Sequence, residues 1–356
     1  MVTAIQSRST STREVPVYKM VTHTGDPRLG NIWIASRLES AEGKERSMRA
    51  VRNSAEGISV VAVDEPTGAG VRLEVTSVGI CGSDVNLAAG LGGFTYGHEF
   101  AGVAADGREY AVEPNIHCGR CEQCRLGATQ RCTDAGHGFL GVYQDGGMCD
   151  AIVVPDYTLA PLPTGLPGRD ACLVEPASVA WHGVQRAALA PGERLAVVGG
   201  GSIGLLTVAA SRRMGFQVDL AARHPHQAAA GERLGAGSVD GGYNVVIDAA
   251  GSEAGLARCV ELARPGGRVV LLGVYQPTIP VPGMISLVKE LSFVNAVACG
   301  RRDGVREFER AAAMLAENPG ISSTVITHRF PLADAAEAFR VAGDRSAGAI
   351  KVVLHP

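Results

Sequence analysis

From residue 48 onward, apolar and polar positions alternate in short runs broken by glycine and proline. Ile58-Ser59-Val60-Val61-Ala62-Val63, Val71-Arg72-Leu73-Glu74-Val75 and Ala151-Ile152-Val153-Val154 each read as strands, because a period of two sends successive side chains to opposite faces. Such strands between tight turns predict a partly open antiparallel barrel up to about residue 154. Only Ala104-Ala105-Asp106-Gly107-Arg108 is left for a hairpin between Glu99 and the first of a group of cysteines. The pattern then changes. Residues 170–190 read as a helix with Pro176 near its start, and Pro191-Gly192-Glu193 turns the chain into a new regime. Apolar strands at 194–198, 217–221, 243–248, 268–273 and 291–294 follow, with helices at 205–214, 253–262 and 305–315. Strand–helix alternation of this kind predicts a doubly wound α/β unit with a parallel sheet. Between Gly235 and Tyr243 only a short loop is expected. After about Ser323 the chain is expected to return to the barrel and end in the apolar run 348–354.

Residues 1–47 break the pattern. They are polar, rich in Ser, Thr and Arg, and carry only short apolar patches such as Ile32-Trp33-Ile34. No continuous apolar stretch marks a signal peptide. They read as a poorly packed extension, left by an upstream start or serving as an interface arm. Composition sets outer bounds. A chain of 356 residues, 46% hydrophobic and 19% charged, can bury a large core in two domains. A net charge of −3 supplies no basic field, so no nucleic-acid partner is expected. No apolar run is long enough to span a bilayer, so no membrane partner is expected either. Nine cysteines without a secretory signal point to a reducing compartment, the cytoplasm.

Those cysteines are not scattered. Cys118, Cys121, Cys124 and Cys132 have the spacing Cys-x2-Cys-x2-Cys-x7-Cys. Two-residue gaps let neighbouring sulfurs turn onto one ion, and the longer gap folds back to supply the fourth. Four thiolates suit tetrahedral zinc and leave no open position, so this is expected to be a structural site. Disulfides, an iron–sulfur cluster and a nucleic-acid-binding ribbon are the competing readings. The flanking Arg120, Arg125 and Arg131 are balanced by Glu113, Glu122 and Asp134, which argues against the ribbon.

A second cluster is looser and richer in chemistry. Cys81 lies between two glycines at the end of a predicted strand, and Gly97-His98-Glu99 follows a Gly-rich loop. A thiolate, an imidazole and a carboxylate together suit zinc with an open coordination position. Far along the chain, Glu175 sits in Leu173-Val174-Glu175-Pro176-Ala177, where a carboxylate is costly to bury unless something pairs with it. Each residue alone has a plainer reading as ordinary core or loop.

The strand at 194–198 runs into Gly199-Gly200-Gly201-Ser202-Ile203-Gly204 and then an apolar helix. This is Gly-x-Gly-x-x-Gly in the strand–turn–helix context that gives the motif meaning. The first Gly makes the turn, the second admits a pyrophosphate, and the third lets helix and strand pack closely. The phosphates of a dinucleotide then sit at the helix N-terminus. The next strand ends in Ala222-Arg223-His224 rather than in the acidic residue that binds the ribose diol of NAD. Arg223 can pair with a 2′-phosphate, which favours NADP(H) over NAD(H). Asp219 lies about three residues too early for the diol. Gly273 and Val274, closing a later strand, are counted with the cofactor-binding residues.

Taken in order, Gly79-Ile80-Cys81-Gly82-Ser83-Asp84, Gly97-His98-Glu99, the four-cysteine lobe and Leu173-Val174-Glu175-Pro176 resemble the zinc-dependent medium-chain dehydrogenase/reductase family from about Met48 to the end. The Glu-Pro element resembles the sorbitol, threonine and glucose dehydrogenase branch. The resemblance implies a GroES-like catalytic domain at 48–185 and 323–356, and a Rossmann domain at 186–322. It implies one catalytic and one structural zinc, and hydride transfer between a small alcohol or carbonyl and a nicotinamide cofactor. Cys81 and His98 are the first ligands expected, then Glu99, with Glu175 direct or through water. Ser83 would start the proton relay, whose next step is open because Asn86 stands where the family often has histidine. A homo-oligomer, dimer or tetramer, is expected. Scarce aromatics (5%) and the carboxylate-rich site favour a polyol, sugar or amino-alcohol. Phe94, Tyr96 and Trp181 could instead line an apolar pocket, giving an NADPH-dependent reductase of simpler aldehydes or ketones. A non-catalytic redox-sensing scaffold that binds zinc and dinucleotide is the alternative from another class; the intact Cys81, His98 and Glu175 set argues against it.

Overall fold

The longest strand of the first half, Val71–Ile80, is the spine of the barrel. Its alternation Val71-Arg72-Leu73-Glu74-Val75 buries Leu73 and Val75 and exposes Arg72 and Glu74. Glu99–Ala104 pairs antiparallel along one side of it, and Ala151–Val154 and Lys351–His355 also add antiparallel. Glu109–Val112 and Leu159–Pro161 extend the sheet beyond Glu99–Ala104, and Ile326–Pro331 closes the other end in parallel with Lys351–His355. The hairpin of Ser47–Ser54 and Gly57–Asp64 joins the barrel through a bridge between Ala50 and Cys149. The last two strands of the chain therefore belong to this sheet. Leu73, Val78, Phe100, Met148 and Val352 fill the barrel core.

This computed structural model describes residues 19–20, 33–34, 47–54, 57–87, 93–134, 138–275 and 278–356. Two compact units separate, 1–45 and 46–356. In the first, Lys19–Met20 pairs antiparallel with Trp33–Ile34. The rest of the expected extension lies outside the described residues.

The second half is a six-stranded parallel sheet. Leu195–Val198 stands near its centre, flanked on one side by Val218–Ala221 and then Gly237–Ser238. On the other side come Tyr243–Asp248, Ala263–Leu271 and Ser292–Asn295. Strand order therefore reverses between Leu195–Val198 and Tyr243–Asp248, and a crevice opens above their carboxyl ends, where such sheets bind ligands.

Four expectations need correction. The helix placed at 170–190 is Val174–Arg186, preceded by a tighter turn over Gly168–Leu173. It stops early because Ala188 adopts a left-handed φ of 47° ahead of Pro191. The apolar helix begins at Ser202, inside the glycine motif, because its first turn is the phosphate loop itself. Val305 and Arg306 form a short hairpin strand with Arg301–Arg302, and the helix starts at Glu307. Finally, the short stretch between Gly235 and Tyr243 is not all loop: Gly237–Ser238 within it is the sheet's edge strand, reached from the helix Pro225–Arg233 that precedes it.

The hairpin Arg301–Arg306 fastens the two halves together. Arg306 donates from Nε and Nη2 to Glu113 Oε2 at 2.9 and 2.7 Å, and also to the carbonyls of Leu159 and Thr158. Both partners are buried, so removing one would strand a charge away from water.

Candidate active site

Cys81 follows the spine strand, and the short helix Gly82–Leu87 turns away behind it. Asp84 in that helix is fully buried. Its Oδ2 accepts the amide of Cys81 at 2.9 Å, and its Oδ1 lies 3.4 Å from His98 Nδ1. That second contact is an ion-pair distance without hydrogen-bond geometry, since both atoms remain unpartnered by hydrogen bonds. His98 and Glu99 enter from the adjacent strand, where Glu99 stands opposite Gly79. A sulfur of Cys81, a ring nitrogen of His98 and a carboxylate oxygen of Glu99 lie within 4.8 Å of one another. Ser83 Oγ is 3.5 Å from His98 Nε2. Glu175, in the first turn of Val174–Arg186, lines the same cleft but falls outside the 4.8 Å group.

The electrostatics fit a cation. Burial pushes the His98 imidazole down, but Asp84 and Cys81 more than offset it and hold it well above its ordinary value. Burial pushes the Glu175 carboxyl up to about 7, against the pull of His98. Burial would lower Lys351, yet Glu99 beside it holds it above its usual value. A buried pocket that brings a thiol, an imidazole and two carboxylates together suits a dication with nitrogen, sulfur and oxygen ligands.

The four-cysteine lobe fits as well. All four sulfurs lie within 4.8 Å of one another, with Cys118 Sγ to Cys124 Sγ 4.0 Å and Cys121 Sγ to Cys132 Sγ 3.9 Å. Tetrahedral bonds of about 2.3 Å place sulfurs about 3.8 Å apart. No disulfide joins them. Backbone amides of Arg120 and Cys121 point at Cys118 Sγ at 3.4 and 3.3 Å.

The cleft between barrel and parallel sheet, of about 1280 Å³, joins the Cys81 cluster to the glycine motif. A Cβ on Gly201 would meet nothing within 4 Å, so that side of the turn is open for a phosphate. A Cβ on Gly204 would come within 1.7 Å of the Gly199 carbonyl oxygen, so its role is helix–strand packing. Ser202 and Ile203 open the helix, and Ala222, Arg223, His224, Gly273 and Val274 line the same cleft. Asp219 points elsewhere and accepts the Tyr243 hydroxyl at 2.8 Å, which agrees with its exclusion from the ribose diol.

Phe94, Tyr96 and Trp181 do not form the pocket. Tyr96 is wholly buried against Phe94 and Phe339, and Trp181 lies in the core beneath the sheet. Phe139, Val142 and Val179 supply the apolar wall instead. Sequence reasoning also missed Arg258, Asp84 and Lys351. Arg258 lines the cleft from helix Glu253–Leu262, paired with Glu261 at 2.6 Å. A basic residue in Gly348-Ala349-Ile350-Lys351-Val352-Val353, which reads as a wholly buried strand, was the available signal for Lys351.

Barrel, parallel sheet and a shared cleft with a thiol–imidazole–carboxylate cluster define the class, a two-domain dehydrogenase. The family model for the glucose dehydrogenase C-terminus matches residues 169–355, and that for the alcohol dehydrogenase GroES-like domain matches 68–164. L-galactonate-5-dehydrogenase of Escherichia coli (strain K12) is 31% identical over 299 residues, 75% of this chain and 86% of that one. D-xylulose reductase A of Aspergillus oryzae is 30% identical over 309 residues, 76% and 85% of the two chains. A Sinorhizobium meliloti 1021 protein solved bound to NADP superposes with a TM-score of 0.77 at 29% identity, covering 88% of this chain and 100% of its own. The chain belongs to the zinc-type medium-chain dehydrogenases, in their sorbitol and polyol branch. It is an oxidoreductase of alcohols that works with a nicotinamide cofactor. No helix among the described residues is long and apolar enough to cross a membrane.

Proposed function

We propose that this enzyme exchanges hydride between a secondary alcohol of a polyol or sugar acid and NADP(H). The observation that carries the reading is the convergence of Cys81, His98 and Glu175 with the open face of Gly201 in one cleft. The sugar-derived substrates in the relatives' names support the substrate class. Initial rates with a panel of polyols and aldonates test it; turnover confined to simple aldehydes would overturn it.

Cys81 and His98, with a carboxylate, would hold the catalytic zinc. Zinc supplies Lewis-acid polarisation that lowers the pKa of a hydroxyl. The chain's own residues do the rest. Asp84 fixes the side of the imidazole that faces away from the ion. Ser83, beside His98 in the cleft, is placed to take the substrate's proton first. Asn86 lines the same cleft but cannot titrate, so it does not carry that proton onward. Gly199 to Gly204 would hold the pyrophosphate of the cofactor at the N-terminus of Ser202–Arg213. Residues 48–185 and 323–356 act as the catalytic domain and 186–322 as the cofactor domain.

Arg223, with no acidic residue at the strand end, supports NADP(H) over NAD(H). NADPH is expected to bind at least about tenfold tighter than NADH, roughly 1.4 kcal/mol. Arg223→Ala should erase most of that difference in a calorimetric titration. Equal affinities in the unaltered enzyme would make Arg223 a surface residue.

The protein is also proposed to self-associate. Met284, Leu287 and Val288 are each about three-quarters exposed and lie close in sequence to the edge strand Ser292–Asn295. Isolated apolar residues are normal on a surface, but a cluster beside an open sheet edge marks an interface. Sedimentation velocity should show a dimer or larger, and Leu287→Glu should shift it toward monomer. A monomeric unaltered protein at micromolar concentration sinks the proposal.

A further inference from the structure

Two strand-end loops meet at one wall of the cleft, and a carboxylate joins them. Asp248 ends the strand Tyr243–Asp248 and is fully buried. Its Oδ1 accepts the amide of Ala250 at 2.8 Å, which turns the chain just after it. Its Oδ2 accepts the hydroxyl of Tyr275, which lies beyond the neighbouring strand Ala263–Leu271. Backbone packs on backbone between the loops. A Cβ on Gly273 would stand 2.3 Å from the Gly251 Cα, and one on Gly251 would stand 2.7 Å from the Val274 carbonyl oxygen. The Gly273 amide donates to the Asp248 carbonyl at 3.0 Å. Past that point, among the described residues, no backbone hydrogen bond holds Val274 or Tyr275. The Tyr275 side chain takes over. Its ring packs on the cluster that includes Val198, Val246 and Cys259, and its hydroxyl reaches the carboxylate. Burial holds that hydroxyl above its ordinary pKa, so it stays protonated and donates.

Strand order says which part of a cofactor this wall faces. The glycine motif follows Leu195–Val198, and Ala222 and Arg223 follow the strand on one side of it. With the pyrophosphate on that motif and the adenosine ribose toward Ala222, a dinucleotide laid across the crevice extends its nicotinamide half the other way, over the ends of Tyr243–Asp248 and Ala263–Leu271. Ala249, Ala250, Gly273, Val274 and Tyr275 line the cleft on that side. We propose that Tyr275 is a positioning residue: by latching the loop after Ala263–Leu271 onto Asp248, it fixes the wall against which the nicotinamide half rests and leaves the adenosine half untouched. This rests on the reading that the glycine motif holds the pyrophosphate. Without the hydroxyl, Val274 loses its tether and the Asp248 carboxylate loses one of its donors in a buried place.

The test uses the full chain and compares two probes by calorimetric titration: NADPH, and 2′-phospho-ADP-ribose, which keeps the adenosine half and the pyrophosphate but lacks the nicotinamide. Tyr275→Phe should weaken NADPH at least about tenfold and leave 2′-phospho-ADP-ribose within about twofold. A residue that only supported the fold would weaken both alike. Equal weakening of the two probes, or of neither, therefore overturns the proposal. If Tyr275→Phe does not fold, Gly273→Ala decides by the same comparison, because its Cβ would pry the same two loops apart. A protein that binds the unphosphorylated pair more tightly fails the NADP(H) reading and not this one, which is then decided in the same way with NADH and ADP-ribose.

Discussion

His98→Ala is expected to lower turnover by at least about a thousandfold, roughly 4 kcal/mol of transition-state stabilisation. NADPH affinity should change by less than about threefold, because the glycine motif that holds the pyrophosphate belongs to the parallel sheet and not to the barrel that carries His98. The size of the loss follows from what surrounds the ring. His98 is 5% exposed, with Asp84 on its Nδ1 side and Ser83 on its Nε2 side. On the proposed zinc site alanine removes a ligand, and it leaves the buried Asp84 carboxylate facing a void. Metal content should then fall with activity, since Cys81 and a carboxylate alone hold zinc poorly. Steady-state kinetics beside a cofactor titration check this. Unchanged turnover would remove His98 from the site, and a parallel loss of NADPH binding would show that the substitution acted through folding.

The residues legible in the sequence were those whose meaning is local. Cys-x2-Cys-x2-Cys and Gly-x-Gly-x-x-Gly are set by the reach of one turn, so spacing alone brings the four sulfurs within 4.8 Å of one another and leaves the Gly201 face open. Cys81 and His98 were readable because a chemically unusual side chain sits beside glycine at a strand end. What stayed hidden depends on long-range pairing. Lys351 meets Glu99 across 252 residues, through a strand register that no short window contains. The helix Pro225–Arg233 escaped because it buries only Gln227, Ala230 and Gly231, and an apolar stripe that thin gives no helical period. Phe94, Tyr96 and Trp181 misled for a related reason. Proximity to a motif in sequence does not fix which face of the chain an aromatic takes, and in a protein with so few of them the core claims them first.

The four-cysteine lobe has almost no apolar core of its own, so Cys124→Ser should unfold it outright. Whether that loss stays local depends on what rests on the lobe. The amide of Arg301 donates to the Gly127 carbonyl at 2.7 Å, and a Cβ on Gly300 would meet Gln130 Oε1 at 2.8 Å. The hairpin that leans on the lobe also carries Arg306, whose charge is neutralised by Glu113 in a dry interface between barrel and cofactor domain. Next to it, Glu307 Oε2 takes the Gly300 amide at 2.7 Å and His182 Nδ1 at 2.8 Å, and His182 lies on the helix Val174–Arg186 that carries Glu175. A collapsed lobe therefore loosens the seat of a buried ion pair and of the helix that lines the catalytic cleft. The expected cost is about 3–5 kcal/mol, the range for breaking a buried pair, or a fall of roughly 4–7 °C in Tm for a chain of this size. Differential scanning calorimetry with metal analysis measures it. A Cys124→Ser protein with less zinc but a Tm within about 1 °C of the unaltered protein, a shift worth less than about 1 kcal/mol, would show that the hairpin holds its place without the lobe.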